Sequence, residues 1–264
     1  KLDPGMTFPD LSQYPRLFGL IGYPLGHSFS KKYFAEKFRR EAIAGSHYEL
    51  FPFPSIDELP RLWERYPQLR GLNVTIPYKE QVLPWLTEVD TAAAAVGAVN
   101  TILLFGDQRV GYNTDIIGFE ASLRRILRTH PAPVTAALVL GTGGAAKAVT
   151  YVLDRLDLAY CRISRTVGKG DLTYAQLTPE HLRQYPLLIN TTPLGTYPAV
   201  DTCPELPYAA LGPENILYDL VYNPEKTVFL KKGAAQGSTI QNGYEMLVGQ
   251  AEAAWNIWTS PQPD

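Results

Sequence analysis

The stretch that most restricts the fold is residues 135–156, TAALVLGTGGAAKAVTYVLDRL. A short, continuously apolar run of Ala, Leu and Val suits a strand covered on both faces. It breaks into Gly141-x-Gly143-x-x-Ala146, and the residues beyond resume with helical spacing. A strand that enters a glycine turn and leaves as a helix presents free backbone N–H groups and the positive end of a helix dipole, a setting that suits a pyrophosphate. The glycine spacing also occurs in incidental turns. The strand before it and the helix after it are what favour a nucleotide.

The same alternation runs through the chain. RLFGLIG, SHYELF and GLNVTI read as strands separated by helices near 30–40 and 56–66, and AVNTILLF with RVGYN as a hairpin around Gly106 and Asp107. TAAAAVG, residues 91–97, reads as a tightly packed helix. A helix over 115–128 precedes the breaker THPAPV, after which AYCRIS, PLLINT and NILYDL repeat the strand pattern. The last helix, over 244–258, puts Met246, Leu247, Ala251, Ala254, Trp255 and Trp258 on one face. Strands alternating with helices define an α/β chain with largely parallel sheets. For 264 residues, two α/β domains are the economical division, with the boundary near Asp115.

Composition narrows the partners. Apolar residues make up 45% and charged residues 19%, which supports buried cores and argues against disorder. With 24 basic and 26 acidic residues the net charge is −2, so no electrostatic footprint points to nucleic acid or an anionic membrane. A small molecule is the expected partner. Cys161 and Cys203 match neither a disulfide framework nor a zinc pattern, and four scattered histidines without H-E-x-x-H make a metal site unexpected. His27 reads as a support for its loop. The opening KLDPGMTFPD lacks a basic-then-apolar leader, and no apolar run reaches spanning length, so cytoplasmic location is the expectation.

The strand after the glycine turn ends ISRTVGKG. An NAD-selective site usually carries Asp or Glu there, bonded to the ribose 2′-hydroxyl. Here Ser164, Arg165, Thr166 and Lys169 offer two hydroxyls and two cations, which suit a 2′-phosphate. The alternative is a solvated basic loop. NADP(H) is the expected cofactor.

A hydride carrier needs a second substrate and a proton donor. Four polar clusters precede the glycine turn: GHSFS, NVTIPYK, AVNT and GYNTD. Ser28 and Ser30 flank a helix start and suit either a carboxylate or a plain helix cap. Lys79 alone reads as a solvated lysine after a strand end, Asn100 and Asn113 as turn residues, and Asp115 as a helix cap. Together, these short polar groups and the Lys79–Asp115 pair suit a polyhydroxylated acid.

IGYPLGHSFS, GLNVTIPYKE, GAVNTI, GYNTDIIGF, VLGTGGAAKA, SRT, INTTPLGTYP, YDLVYNP and NGYEMLVGQA occur in the order found in shikimate dehydrogenases. The chain resembles that family from about residue 17 to 258. The resemblance implies an NADP-dependent oxidoreductase of aromatic amino acid biosynthesis that reduces 3-dehydroshikimate to shikimate. It implies a mainly parallel substrate domain over 1–114, rejoined by a C-terminal helix over 243–264, and a Rossmann-type NADP-binding domain over 115–242. By that likeness Ser28 and Ser30 hold the substrate carboxylate. Asn73, Thr75, Asn100 and Asp115 meet the ring hydroxyls or the reacting oxygen, and Lys79 sits at the carbonyl. Gln250 and Tyr222 reach the substrate from the last helix and the cofactor side. Cofactor contacts fall on Gly141, Thr142, Gly143, Gly144, Ala145, Ser164, Arg165, Thr166, Lys169, Asn190, Thr191 and Thr192, with Gly243 and Met246 near the nicotinamide. Lys79 and Asp115 form the implied acid–base pair.

The match departs in places. Where the family usually continues Pro-x-x-His-Asn after the second serine, this chain has Lys31-Lys32-Tyr33-Phe34, and Ser164 stands where Asn is commoner. Quinate-using relatives, some of them NAD-dependent, share the fold. So would a nucleotide-sensing protein without turnover, which the retained Lys79 and Asp115 argue against. A monomer or homodimer is the expected state.

Overall fold

The computed structural model describes residues 8–26 and 28–261. The leader expectation for residues 1–7 and the loop role of His27 fall outside the described residues. Two compact units divide the chain: Lys1–Thr114 with Ala254–Asp264, and Asp115–Ala253.

The first unit runs β1 (Arg16–Gly22), α1 (Phe29–Arg40), β2 (Ser46–Pro52), α2 (Leu59–Arg65), β3 (Leu69–Val74), α3 (Tyr78–Gln81), β4 (Glu88–Val89), α4 (Thr91–Val96), β5 (Thr101–Phe105) and β6 (Gln108–Tyr112). Its sheet has the order β2-β1-β3-β5-β6-β4. β1 pairs in parallel with β2 and β3, whereas the β5–β6 hairpin adds antiparallel pairing against β3. Gly106 turns that hairpin with φ +52°. β3 stops at Val74, short of the apolar run that predicts it. Tyr78 N closes a turn on Thr75 O at 2.9 Å, and Ile76 leaves the sheet 74% exposed.

Apolar residues of β1, β2, β3 and α2, among them Leu17, Ile21, Phe51, Leu62 and Leu72, form one core. Trp258 belongs to the same unit. Its ring lies 5.1 Å from Phe18 and 5.5 Å from Phe34, and its Nε1 donates to Ile102 O at 3.0 Å. Gly71 makes room for it, because a Cβ there would fall inside the indole. Burying rings of this size with the indole N–H satisfied is worth several kcal/mol, about 3–5 by the usual cost of truncation to alanine.

The second unit contains α5 (Thr114–Thr129, from Asp115 on), β7 (Ala136–Leu140), α6 (Gly144–Arg155), β8 (Ala159–Ser164), β9 (Leu172–Thr173), α7 (Pro179–Gln184), β10 (Leu187–Asn190), β11 (Ile216–Asp219), α8 (Val228–Ala235), β12 (Thr239–Gln241) and most of α9 (Tyr244–Thr259). All its strand pairs are parallel, in the order β12-β11-β10-β7-β8-β9. In this order the chain reverses direction of winding between β7 and β10, the place where doubly wound sheets bind ligands beyond their strand ends. β7 is buried throughout, as its unbroken apolar run requires. α6 buries Ala146, Ala148, Val149, Val152 and Leu153 against the sheet. Gly118 faces Met246 O and Gln250 N so closely that α5 and α9 meet backbone to backbone. Among the described residues no helix is long and apolar enough to cross a membrane, and no group of three or more His, Cys, Asp or Glu could hold a metal ion.

Candidate active site

The cofactor elements converge at the C-terminal ends of β7, β8 and β10. β7 runs into Gly141, whose φ of +111° favours glycine. A Cβ there would meet Thr191 Oγ1 at 2.7 Å, so the turn and the loop after β10 touch through a missing side chain. Gly143 caps α6 without a side-chain bond, and a Cβ on Gly143 or Gly144 would meet nothing within 4 Å. The helix N-terminus therefore faces open space with its first N–H groups available.

That space is a cavity of about 310 Å³ lined by Gly141, Thr142 and Gly143, by Ser164, Arg165, Thr166 and Lys169, and by Thr191 and Thr192. Ser164 is buried and its Oγ accepts from Thr166 N at 3.0 Å, which shapes the basic loop. The acidic residue beyond it is engaged elsewhere. Arg162 binds Asp171 through its backbone N (2.8 Å) and guanidinium (2.9 Å), and this pairing holds the Asp171 carboxyl below its ordinary range. No carboxylate lines the cavity. A glycine cradle beside a guanidinium, an ammonium and hydroxyls fits a dinucleotide with a 2′-phosphate.

Asn190 is fully buried and does not line this cavity. Its Oδ1 accepts from Thr192 N (3.0 Å) and Oγ1 (2.7 Å), and its Nδ2 donates to Asp219 Oδ1 at 2.9 Å. Thr191 and Thr192 reach the cavity instead; Gly144, Ala145, Gly243 and Met246 lie off its wall. Asp219 also accepts from Val221 N at 3.0 Å and Thr227 Oγ1 at 2.5 Å, and burial pushes its pKa up to about 6 despite those bonds. Ile163, Tyr174, Pro193 and Leu194 complete the wall without having been singled out from sequence. Pro193 and Leu194 sit inside a quoted motif. Tyr174 arrives through the two-residue strand β9 and carries no sequence signal; burial raises its pKa to about 12.

In the same unit, Asp115 is half-buried in the first turn of α5, and Tyr222 is 39% exposed after β11. Gln250 is buried on α9, where its Nε2 donates to Leu247 O at 3.0 Å.

The first unit gathers the other polar residues. Ser28 caps α1, its Oγ accepting from Lys31 N at 3.4 Å, which leaves the hydroxyl proton free to donate. Cap and carboxylate donor are thus compatible roles. Lys31 itself is drawn to Glu49, which also meets His47 at 3.1 Å. Ser30 hydrogen-bonds Tyr48, whose fully buried phenol has its pKa raised by burial. Tyr48 donates to Asn73 Oδ1 at 2.7 Å, and Asn73 Nδ2 donates to Asn100 O at 3.3 Å. Asn100 Oδ1 in turn accepts from Thr114 N at 2.7 Å. Ser30, Asn73 and Asn100 therefore belong to one hydrogen-bonded wall, buried from Tyr48 inward, that ends one residue before Asp115. Thr75 is half-buried at the turn after β3. Lys79, half-buried on α3, is tied to the wall by its backbone, since Val99 N donates to Lys79 O at 2.8 Å. Asn113 donates from Nδ2 to Ala98 O at 3.0 Å, a bond that shapes its turn.

Residues 20–102 match the family model described as shikimate dehydrogenase substrate binding domain. A shikimate dehydrogenase (NADP(+)) of Desulforamulus reducens is 34% identical, over 91% of this chain and 89% of the relative. One from Clostridium beijerinckii is 39% identical, over 94% and 93%. The crystal structure of shikimate 5-dehydrogenase from Thermus thermophilus in complex with NADP(H) and shikimate superposes with a TM-score of 0.79 at 33% identity, covering 94% of this chain and 95% of the other.

Proposed function

The chain belongs to the shikimate dehydrogenase family, and from that membership we infer that it is an NADP-dependent shikimate dehydrogenase, reversibly reducing 3-dehydroshikimate to shikimate. The observation that carries the assignment is similarity along nearly the whole chain to relatives named for that reaction. The cavity lined by Arg165 and Lys169, with no carboxylate in its wall, supports NADP(H) over NAD(H).

When bound, NADP(H) supplies the hydride. The chain's own residues then have two tasks, holding the acid and managing one proton. Ser28 and Ser30 donate to the substrate carboxylate, and Asn100 and Thr75 meet ring oxygens. Tyr222 and Gln250 also contact the substrate. Asn73 acts from behind, through its bonds to Tyr48 and Asn100. Lys79 stabilises the negative charge that builds on the carbonyl oxygen and delivers a proton to it; in the reverse direction its neutral amine accepts one. Asp115 orients Lys79 and accepts from a neighbouring hydroxyl. The chain works in the cytoplasm as a monomer or homodimer, on a small molecule and without nucleic-acid or membrane partners.

Steady-state assays with shikimate and quinate, each against NADP⁺ and NAD⁺, test the assignment. The highest kcat/KM is expected for shikimate with NADP⁺. Faster turnover of quinate with NAD⁺ would replace it with a quinate-preferring enzyme, and cofactor binding without turnover of either acid would replace it with a nucleotide sensor.

A further inference from the structure

The wall of the first unit contains a hydroxyl that none of these contacts uses. Thr101 is fully buried and stands directly opposite Asn73 across the β3–β5 pair. Its Oγ1 lies 3.2 Å from Asn73 Nδ2, 3.1 Å from Asn100 Oδ1 and 3.1 Å from Thr114 Oγ1. Backbone groups, whose roles are fixed, orient both amides. Asn73 Nδ2 faces the backbone carbonyl of Asn100, so the nitrogen is fixed there and Asn73 Oδ1 receives the Tyr48 hydroxyl. Thr101 Oγ1 accepts from Asn73, and its own proton has two acceptors within reach, Asn100 Oδ1 and Thr114 Oγ1. Asn100 Oδ1 also receives Thr114 N and Thr114 Oγ1, at 2.7 and 3.1 Å. With its oxygen facing the wall, Asn100 turns its Nδ2 the other way, and among the described residues this nitrogen has no hydrogen-bond partner.

We propose that Thr101 is a positioning residue: its hydroxyl links Asn73 to Asn100 and holds the Asn100 amide so that a donor, not an acceptor, faces the substrate. The inference rests on the functional reading given above. It identifies the substrate atom opposite Asn100 as an acceptor oxygen, either the reacting carbonyl or a ring hydroxyl. Without the Thr101 hydroxyl, Asn73 Nδ2 loses an acceptor and Asn100 Oδ1 loses a donor within reach, and the amide is held less firmly in its working orientation.

The test compares Thr101→Val, close in shape but without the hydroxyl, with Thr101→Ser, which keeps it, using shikimate and NADP⁺ and the wild type alongside. Thr101→Val is expected to raise KM for shikimate about tenfold, with KM for NADP⁺ unchanged and kcat within a few-fold. Thr101→Ser is expected to restore the wild-type KM. If valine prevents folding, Thr101→Ala, which cannot overpack the wall, must show the same split. An unchanged KM for shikimate, an equal rise in both KM values, or a serine variant as impaired as valine would overturn the proposal. A wild type that neither binds nor oxidises shikimate would instead defeat the functional reading and take this inference with it.

Discussion

Lys79 is one residue on a four-residue helix, and nothing about its own position separates it from a surface lysine. Its assignment comes from the family likeness; in the structure its backbone carbonyl accepts from Val99 N, next to Asn100 and the hydrogen-bonded wall. Replacing Lys79 by Ala is expected to lower kcat by about 10²- to 10⁴-fold, while the shikimate dissociation constant measured by titration moves much less. Near-normal turnover would remove Lys79 from the chemistry. Arg165 tests the other unit. Charge-assisted bonds to phosphate are worth about 1.5–3 kcal/mol, roughly ten- to a hundredfold in binding. Arg165→Ala should therefore raise KM for NADP⁺ by about that factor and leave KM for NAD⁺ nearly unchanged; parallel increases would mean that Arg165 does not meet the 2′-phosphate.

Elements differ in how openly the sequence displays them. The β7–turn–α6 unit was legible because a buried strand and a half-buried helix leave different periods on the chain, and the glycines mark the junction. β4 and β9, two residues each, were not legible, since they exist by pairing with β6 and β8 and have no period of their own. Tyr174 was missed for the same reason. The wall residues Tyr48, Thr101 and Thr114 lie inside quoted runs but were not singled out, because only tertiary packing turns their hydroxyls inward. Asp219 belongs to this hidden class. It joins the end of β10, the turn after β11 and Thr227, the cap of α8. With its pKa raised to about 6 from an ordinary 3.8, the folded chain binds more protons than the unfolded chain between those values. The contribution of Asp219 to stability is therefore greatest below about pH 4, falls as pH rises, and reaches its full cost above about pH 6, roughly 3 kcal/mol. Urea unfolding should show Asp219→Asn gaining on the wild type as pH rises from about 4 to 7. A difference that stays constant with pH would show that the carboxyl does not titrate in that window.

Across the whole molecule, the chain carries two kinds of recognition in two compact units. One presents serines and amides braced by buried hydroxyls; the other presents a glycine cradle and a basic loop. Neither alone specifies a reaction, and the glycine turn by itself marks only a nucleotide. What joins them is the family relationship over nearly the full length. The most direct measurement follows the transferred hydrogen. Purified protein is given 3-dehydroshikimate and NADPH carrying deuterium on the reactive face of its nicotinamide, and the acid is recovered for mass spectrometry and NMR. The account predicts shikimate with a single deuterium on the newly formed carbinol carbon. Unchanged 3-dehydroshikimate, or shikimate without the label, would contradict it.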